Sequence, residues 1–261
     1  MPRVTTTIKD HIAHVELTRG DKMNAVDPDM IAGIIEAGEA LRGNTDVRAV
    51  VLSGQGDAFC AGLDVASFSA LAGGDPNELI MKRTHGASND YQHVCMVWRQ
   101  LEMPVIAALH GVCFGAGLQI ATGADYRIAH PATRMAILEM KWGLVPDMGG
   151  MAIWPKLMRE DVLKRLTYTG AEFTGAEGVD YGLVSETSEA PLETAMALAK
   201  LIASKSPSAV RSGKALVHFA GINDEAAVLL EESRAQAALI GTPNQMEAVM
   251  ANIQKRAPKF T

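Results

Sequence analysis

The stretch Pro104–Ala124 constrains this chain more than any other segment, because its 21 residues include no Lys, Arg, Asp or Glu. An uncharged run of that length either crosses a bilayer or lies inside a protein. It opens on a proline, carries His110 and Gln119, and is interrupted by Gly111, Gly115, Gly117 and Gly123. Those polar groups, with the sharp Leu109-His110-Gly111 break, predict a buried strand, a turn and a buried helix rather than a membrane span. A chain of 261 residues that is 48% apolar can supply the core that buries it. The net charge of −6 leaves no basic excess for a phosphate backbone, so neither nucleic acid nor a membrane is expected as a partner. Three cysteines (Cys60, Cys95, Cys113) cannot build a disulfide framework and fit a reducing compartment. Residues Met1–Asp10 hold no long apolar region, so no targeting segment is expected, and the expected location is cytoplasmic.

Around that stretch the pattern alternates. Val4–Lys9 and Ile12–Leu17 read as a hairpin turning at Asp10-His11. Pro28–Leu41 has apolar residues at helical spacing behind an Asp27 N-cap. Val47–Leu52 reads as a buried strand closed by a Ser53–Asp57 turn. A loop with Gly73-Gly74-Asp75-Pro76 precedes a long predicted helix from Asn77 to Leu101. Val105–Leu109, Tyr126–Ala129 and Met135–Leu138 are further predicted strands, and Gly117–Thr122 a helix. The second half reads as helices over Lys164–Tyr168, Pro191–Ser204, Ser208–Phe219, Asn223–Ile240 and Pro243–Lys255. Strands followed by helices predict an α/β core with a helical C-terminal part.

Four segments combine glycine with polar or reactive residues at element ends. Ala58–Asp64 holds Ala61-Gly62-Leu63-Asp64, small enough for a ligand to approach the backbone, although a plain tight turn explains it too. His110–Gln119 follows a strand and opens a helix, so its free N–H groups favour negative charge. It matches neither a dinucleotide fingerprint nor a Walker A loop, and an oxyanion hole fits it better. Met135–Gly150 places Glu139 after an apolar run, either as an exposed strand end or as a desolvated acid–base group. Asp147 in the same segment reads as a helix N-cap or as a second acid. Leu17–Ala25 is a surface loop or a basic rim in which Lys22 meets an anionic ligand. No Cys-x-x-Cys occurs, and His11 and His14 fall on opposite strand faces, so no metal site is expected. Cys113 reads as a small buried hydrophobe, not as a nucleophile paired with His110.

Taken together, Leu-x-Arg…Lys-x-Asn-Ala, Phe-Cys-Ala-Gly-Leu-Asp, Gly-Val-Cys-Phe-Gly-Ala-Gly-Leu and Glu-x-x-x-Gly-Leu-x-Pro-Asp-x-Gly-Gly resemble the crotonase (enoyl-CoA hydratase/isomerase) family. Leu166–Gly170 and Ala176–Val184 also look like its signatures. The resemblance implies a crotonase-like spiral of ββα units over residues 1–190, with a C-terminal helical trimerisation region over 191–261. It implies a homotrimer or dimer of trimers, acyl-CoA thioester substrates, no metal and no further cofactor. By the same resemblance the backbone N–H groups of Leu63 and Ala116 form the oxyanion hole. Lys22, Ala25, Ala61, Gly62, Leu63, Asp64, Gly115 and Ala116 lie along the coenzyme A path. Hydratases of the family carry glutamates at the positions matching 119 and 139; here 139 is Glu and 119 is Gln. An amide cannot be a carboxylate base, so double-bond isomerisation through Glu139 is expected ahead of hydration. Gln119 would then orient substrate or a water. Asp147 matches an acid of the family's dienoyl isomerases. A member that binds acyl-CoA without turnover is the remaining alternative.

Overall fold

The computed structural model describes residues 2–67 and 75–261. Strands β1 (Val4–Lys9) and β2 (Ile12–Leu17) form the expected antiparallel hairpin, with Asp10 and His11 both at positive φ in its turn. Helix α1 (Pro28–Leu41) starts where Asp27 accepts a hydrogen bond from the Met30 amide at 2.8 Å. There follow β3 (Ala49–Gly54), α2 (Pro76–Ile80), α3 (Asp90–Gln100), β4 (Val105–Leu109), β5 (Val112–Phe114), α4 (Ala116–Thr122), β6 (Tyr126–Ala129) and β7 (Arg134–Ala136). The rest comprises α5 (Glu160–Thr169), β8 (Phe173–Thr174), α6 (Gly175–Asp180), β9 (Glu186–Thr187), α7 (Pro191–Ala203), α8 (Pro207–Ala220), α9 (Glu225–Leu239) and α10 (Pro243–Ile253).

The uncharged stretch is thus two short strands and a helix, and no helix among the described residues is long and apolar enough to cross a membrane. A six-stranded sheet has the order β1-β2-β3-β4-β6-β9, parallel apart from the first pair, and a smaller sheet has the order β5-β7-β8. The chain steps from β4 in the large sheet to β5 in the small one, through α4, then back to β6 and across to β7. That repetition is the spiral of strand pairs and helices expected from the sequence.

Both faces of the large sheet are covered, so its central strands are apolar on both sides. On β3, Val50 and Leu52 point into the main core with Met30, Ile34, Val97 and Trp98, while Ala49 and Val51 face Ala195, Ala199 and Ala203 of α7. Alanines four residues apart let α7 lie close against the sheet.

Three sequence expectations are corrected. The predicted helix 77–101 is broken into α2 and α3, because Asn89 and Gln92 form a capping box that starts a new helix and Gly86 turns at positive φ before it. The predicted strand Val47–Leu52 runs instead from Ala49 to Gly54, since Ser53 and Gly54 continue pairing with Glu16 and Leu17. The predicted strand Met135–Leu138 stops at Ala136, after which Glu139–Trp142 winds into a 3-10 turn. The Gly73-Gly74 part of the expected loop lies outside the described residues.

Candidate active site

Two loops that each follow a buried cysteine meet at one cavity. Cys60 and Cys113 pair as an isolated parallel bridge: the Cys60 amide donates to Val112 O at 3.1 Å and the Phe114 amide to Cys60 O at 3.0 Å. Leu63 and Ala116 each lie three residues further on. Gly62 turns at φ +97°, and a Cβ there would sit 3.0 Å from Phe114 O and 3.9 Å from the Ala116 nitrogen, so glycine permits the close approach. Ala116 opens α4 behind Gly115, which caps it with no side chain. Among the described residues neither the Leu63 nor the Ala116 amide has a hydrogen-bond partner, whereas their neighbours Ala61, Asp64 and Gly115 are all bonded to main-chain carbonyls. Two unpartnered amides beside one cavity can receive an oxygen that gains negative charge.

The cavity has a volume of about 420 Å³, and Ala61, Gly62, Leu63, Gly115, Ala116 and Glu139 all line it. Glu139, first residue of its 3-10 turn, lies over Gly115: a Cβ on that glycine would be 3.5 Å from Glu139 Oε1. Glu139 Oε1 accepts a hydrogen bond from Gln119 Nε2 at 2.7 Å. Oε2 is buried and has no partner among the described residues. Burial pushes the Glu139 carboxyl above the ordinary range; the nearby charge of Asp147 adds to this, and hydrogen bonds from the main chain and Gln119 work against it. Of its two sequence readings, the desolvated group is the one the structure shows. At the rim, Arg134 pairs with Glu172 and lies over the Phe114 ring, and Trp142 and Leu144 expose apolar surface.

Other residues singled out from the sequence fall elsewhere. Gln119 is fully buried and does not line the cavity; its amide bonds Glu139 and the main chain. Asp147 caps no helix, because the following 3-10 turn begins after Gly149 with no side-chain cap. It lines a separate cavity of about 290 Å³ with Ser88 and Gln92, and burial raises its pKa. Lys22 is exposed at the end of a 3-10 turn, and the neighbouring Met23 lines the cavity instead; Ala25 stands behind that turn, its amide donating to Lys22 O at 3.0 Å. Asp64 is bound by Arg19 at 2.7 Å, which holds its carboxyl below the usual range and occupies it. Burial pushes the Cys60 thiol up to about 12 and Cys113 well up, so both are inert, as read for Cys113. No cluster of three His, Cys, Asp or Glu side chains able to hold a metal occurs among the described residues.

Two residues of the Leu-x-Arg…Lys-x-Asn-Ala motif, given no role from the sequence, organise the loops. Asn24, buried and left-handed at φ +54°, accepts from the Arg19 amide and donates to Gln55 O and Ala58 O. Arg19 bonds Ala25 O at 2.9 Å and bridges Asp27 and Asp64. The motif drew attention to both, and the positive-φ tolerance of Asn was a further hint at the first.

Such a fold and site belong to one class of protein. The enoyl-CoA hydratase/isomerase profile matches residues 7–261, and the chain belongs to that family. It is 30% identical to the mitochondrial Delta(3,5)-Delta(2,4)-dienoyl-CoA isomerase of Mus musculus, over 97% of this chain and 80% of that protein. It is 29% identical to the (E)-benzylidenesuccinyl-CoA hydratase of Thauera aromatica, over 98% of both. An enoyl-CoA hydratase structure from Mycobacterium tuberculosis H37Rv superposes with a TM-score of 0.87 at 26% identity, covering 100% of this chain and 99% of that one. The relatives include an isomerase and a hydratase, so the family is fixed and the reaction is not.

Proposed function

We propose that the protein isomerises a double bond in an enoyl-CoA thioester. One observation carries the reading: a buried carboxyl with an unpartnered oxygen, Glu139, lines the same cavity as the two free amides of Leu63 and Ala116. The thioester oxygen accepts from those two amides, with Ala61, Gly62 and Gly115 giving the backbone room for the pantetheine arm. Glu139 removes a proton from a carbon next to the double bond. The electron pair left behind spreads onto the thioester oxygen as an enolate, which the amides stabilise; one such donor is typically worth ~2.7–4 kcal/mol. Glu139 then returns a proton to a different carbon, and the double bond has moved with no change in mass. Gln119 supplies no second carboxylate for activating water, which favours isomerisation over hydration. Asp147 acts on Glu139 through its charge. Lys22, exposed on the loop that carries Met23, meets the coenzyme A phosphates further out, and no cofactor beyond the thioester substrate takes part.

The C-terminal region 191–261 joins copies of the chain into a trimer or a dimer of trimers. Helix α9 buries no residue within the chain, and Val217, Ile222 and Ile253 are each at least 70% exposed. Light scattering that reports a 27.8 kDa monomer at micromolar concentration would refute this. Three buried free thiols fit a reducing compartment, and the cytoplasm is our assignment.

A panel of enoyl-CoA thioesters followed by ultraviolet absorbance and mass spectrometry tests the reaction. The expected product has unchanged mass and a shifted chromophore. A product heavier by one water would establish hydration, and no turnover above buffer would leave a binding protein.

A further inference from the structure

The side chain that holds Glu139 does not itself line the cavity. Gln119 is fully buried on α4, and its amide makes three hydrogen bonds. Its carbonyl oxygen accepts from the main-chain amides of Met148 at 2.8 Å and Gly150 at 3.1 Å, and its nitrogen donates to Glu139 Oε1 at 2.7 Å. Main-chain amides can only donate, so they fix which end of the Gln119 amide faces them and which faces Glu139. The bond to Oε1 stops the carboxyl from turning over freely. Oε2 is the oxygen left without a partner.

We infer that Gln119 is a positioning residue that fixes the orientation of the Glu139 carboxyl for proton transfer. The inference rests on the acid–base reading of Glu139 given above. The position at which family hydratases carry a second acid becomes a clamp, braced by the main chain of the Met148–Gly150 turn. The ionisable neighbour whose charge reaches Glu139 is Asp147, and it stands outside the clamp.

Two variants and two readouts test this. Gln119→Met keeps the length and removes all three hydrogen bonds. Gln119→Glu keeps an acceptor for the Met148 and Gly150 amides but sets a second carboxyl against Glu139 Oε1. The Glu139 carboxyl is titrated by carbon-13 NMR in the unliganded enzyme, assigned by its loss in Glu139→Gln, so this readout needs no turnover. We expect Gln119→Met to raise the Glu139 titration, because a donor to the ionised form is gone. Gln119→Glu should split it into two coupled steps. On a substrate that the wild type turns over, kcat of both variants should fall on the order of 10- to 100-fold with KM little changed, the usual effect of a misplaced reacting group. If Gln119→Met does not fold, Gln119→Glu carries the test, since it retains the main-chain bonds. A single unmoved Glu139 titration in a folded variant overturns the positioning role. Absence of wild-type turnover on every enoyl-CoA overturns the acid–base reading instead, while the titration still decides the clamp.

Discussion

Ala116→Pro tests the proposed oxyanion hole by deleting one main-chain donor and little else. Proline has no N–H, and the first position of a helix is where it is tolerated, because that amide has no intrahelical partner. Ala116 is the first residue of α4, and Gly115 before it, at φ +48° and ψ −113°, has no Cβ to crowd the proline ring. The ring needs space around the Ala116 nitrogen, and Gly62 leaves it: even a Cβ on Gly62 would stay 3.9 Å away. Ala116 is buried, so some overpacking is expected, about 1–3 kcal/mol of folding stability. Loss of one of two donors to the enolate oxygen should cost ~2.7–4 kcal/mol in the transition state, or about 10²–10³ in kcat. The assay is steady-state turnover of the best enoyl-CoA, with urea unfolding to show that the variant is folded and calorimetry to show that coenzyme A still binds. A folded, ligand-binding Ala116→Pro enzyme with unchanged kcat would refute the assignment.

Glu139→Gln should lower turnover by ~10²–10⁴-fold with little change in KM, as expected for a general acid–base group, and is read by steady-state kinetics. Asp147→Asn should move the acid limb of kcat/KM to lower pH, because a like charge that raises the Glu139 pKa is removed. A loss of turnover comparable to that of Glu139→Gln would instead make Asp147 a second acid. Gly38→Ala puts a Cβ 2.3 Å from Val97 Cγ2, and the overpacking cost of about 1–3 kcal/mol exceeds the helix-propensity gain of at most ~1 kcal/mol. Urea denaturation should show a net loss. Glu39, hydrogen-bonded to Arg42 and to the buried His93, has its carboxyl held down to about 2 from an ordinary 4.5. The stability it contributes is therefore complete above pH 4.5 and fades as pH falls towards 2. The gap in denaturation midpoint between wild type and Glu39→Gln should close across that window.

Local signals in the sequence gave good bounds for local structure. Asp27-Pro28 marked the start of α1, and uncharged Pro104–Ala124 marked the buried strands and α4, because capping and burial act on neighbours in the chain. The capping box at Asn89 and Gln92 was equally local and would have revealed the break in the long helix. Long-range partners were not legible. Nothing near Asp64 announced that Arg19, 45 positions earlier, holds its carboxylate. Nothing near Gln119 announced the Met148 and Gly150 amides 29 and 31 positions later. Glycines and a carboxyl at element ends pointed to a site; the division of labour within it depends on contacts that only the folded chain makes.

The Cys60–Cys113 bridge has an evolutionary consequence. The two unpartnered amides of Leu63 and Ala116 hang from one rung of parallel main chain, so their separation is set by the spacing of neighbouring strands, about 4.8 Å, and by three residues of loop on each side. Backbone amides are encoded at every position, so substitutions around the cavity leave the pair of donors in place as long as the rung and the two glycine turns survive. Heritable change then falls on side chains around the donors, such as Glu139 in the cavity and Gln119, which is bonded to it behind the cavity wall. On the proposed reading of the two amides, a lineage can exchange one reaction for another there while the pair of donors persists, and a compound that mimics the enolate oxygen should bind descendants that no longer share a substrate.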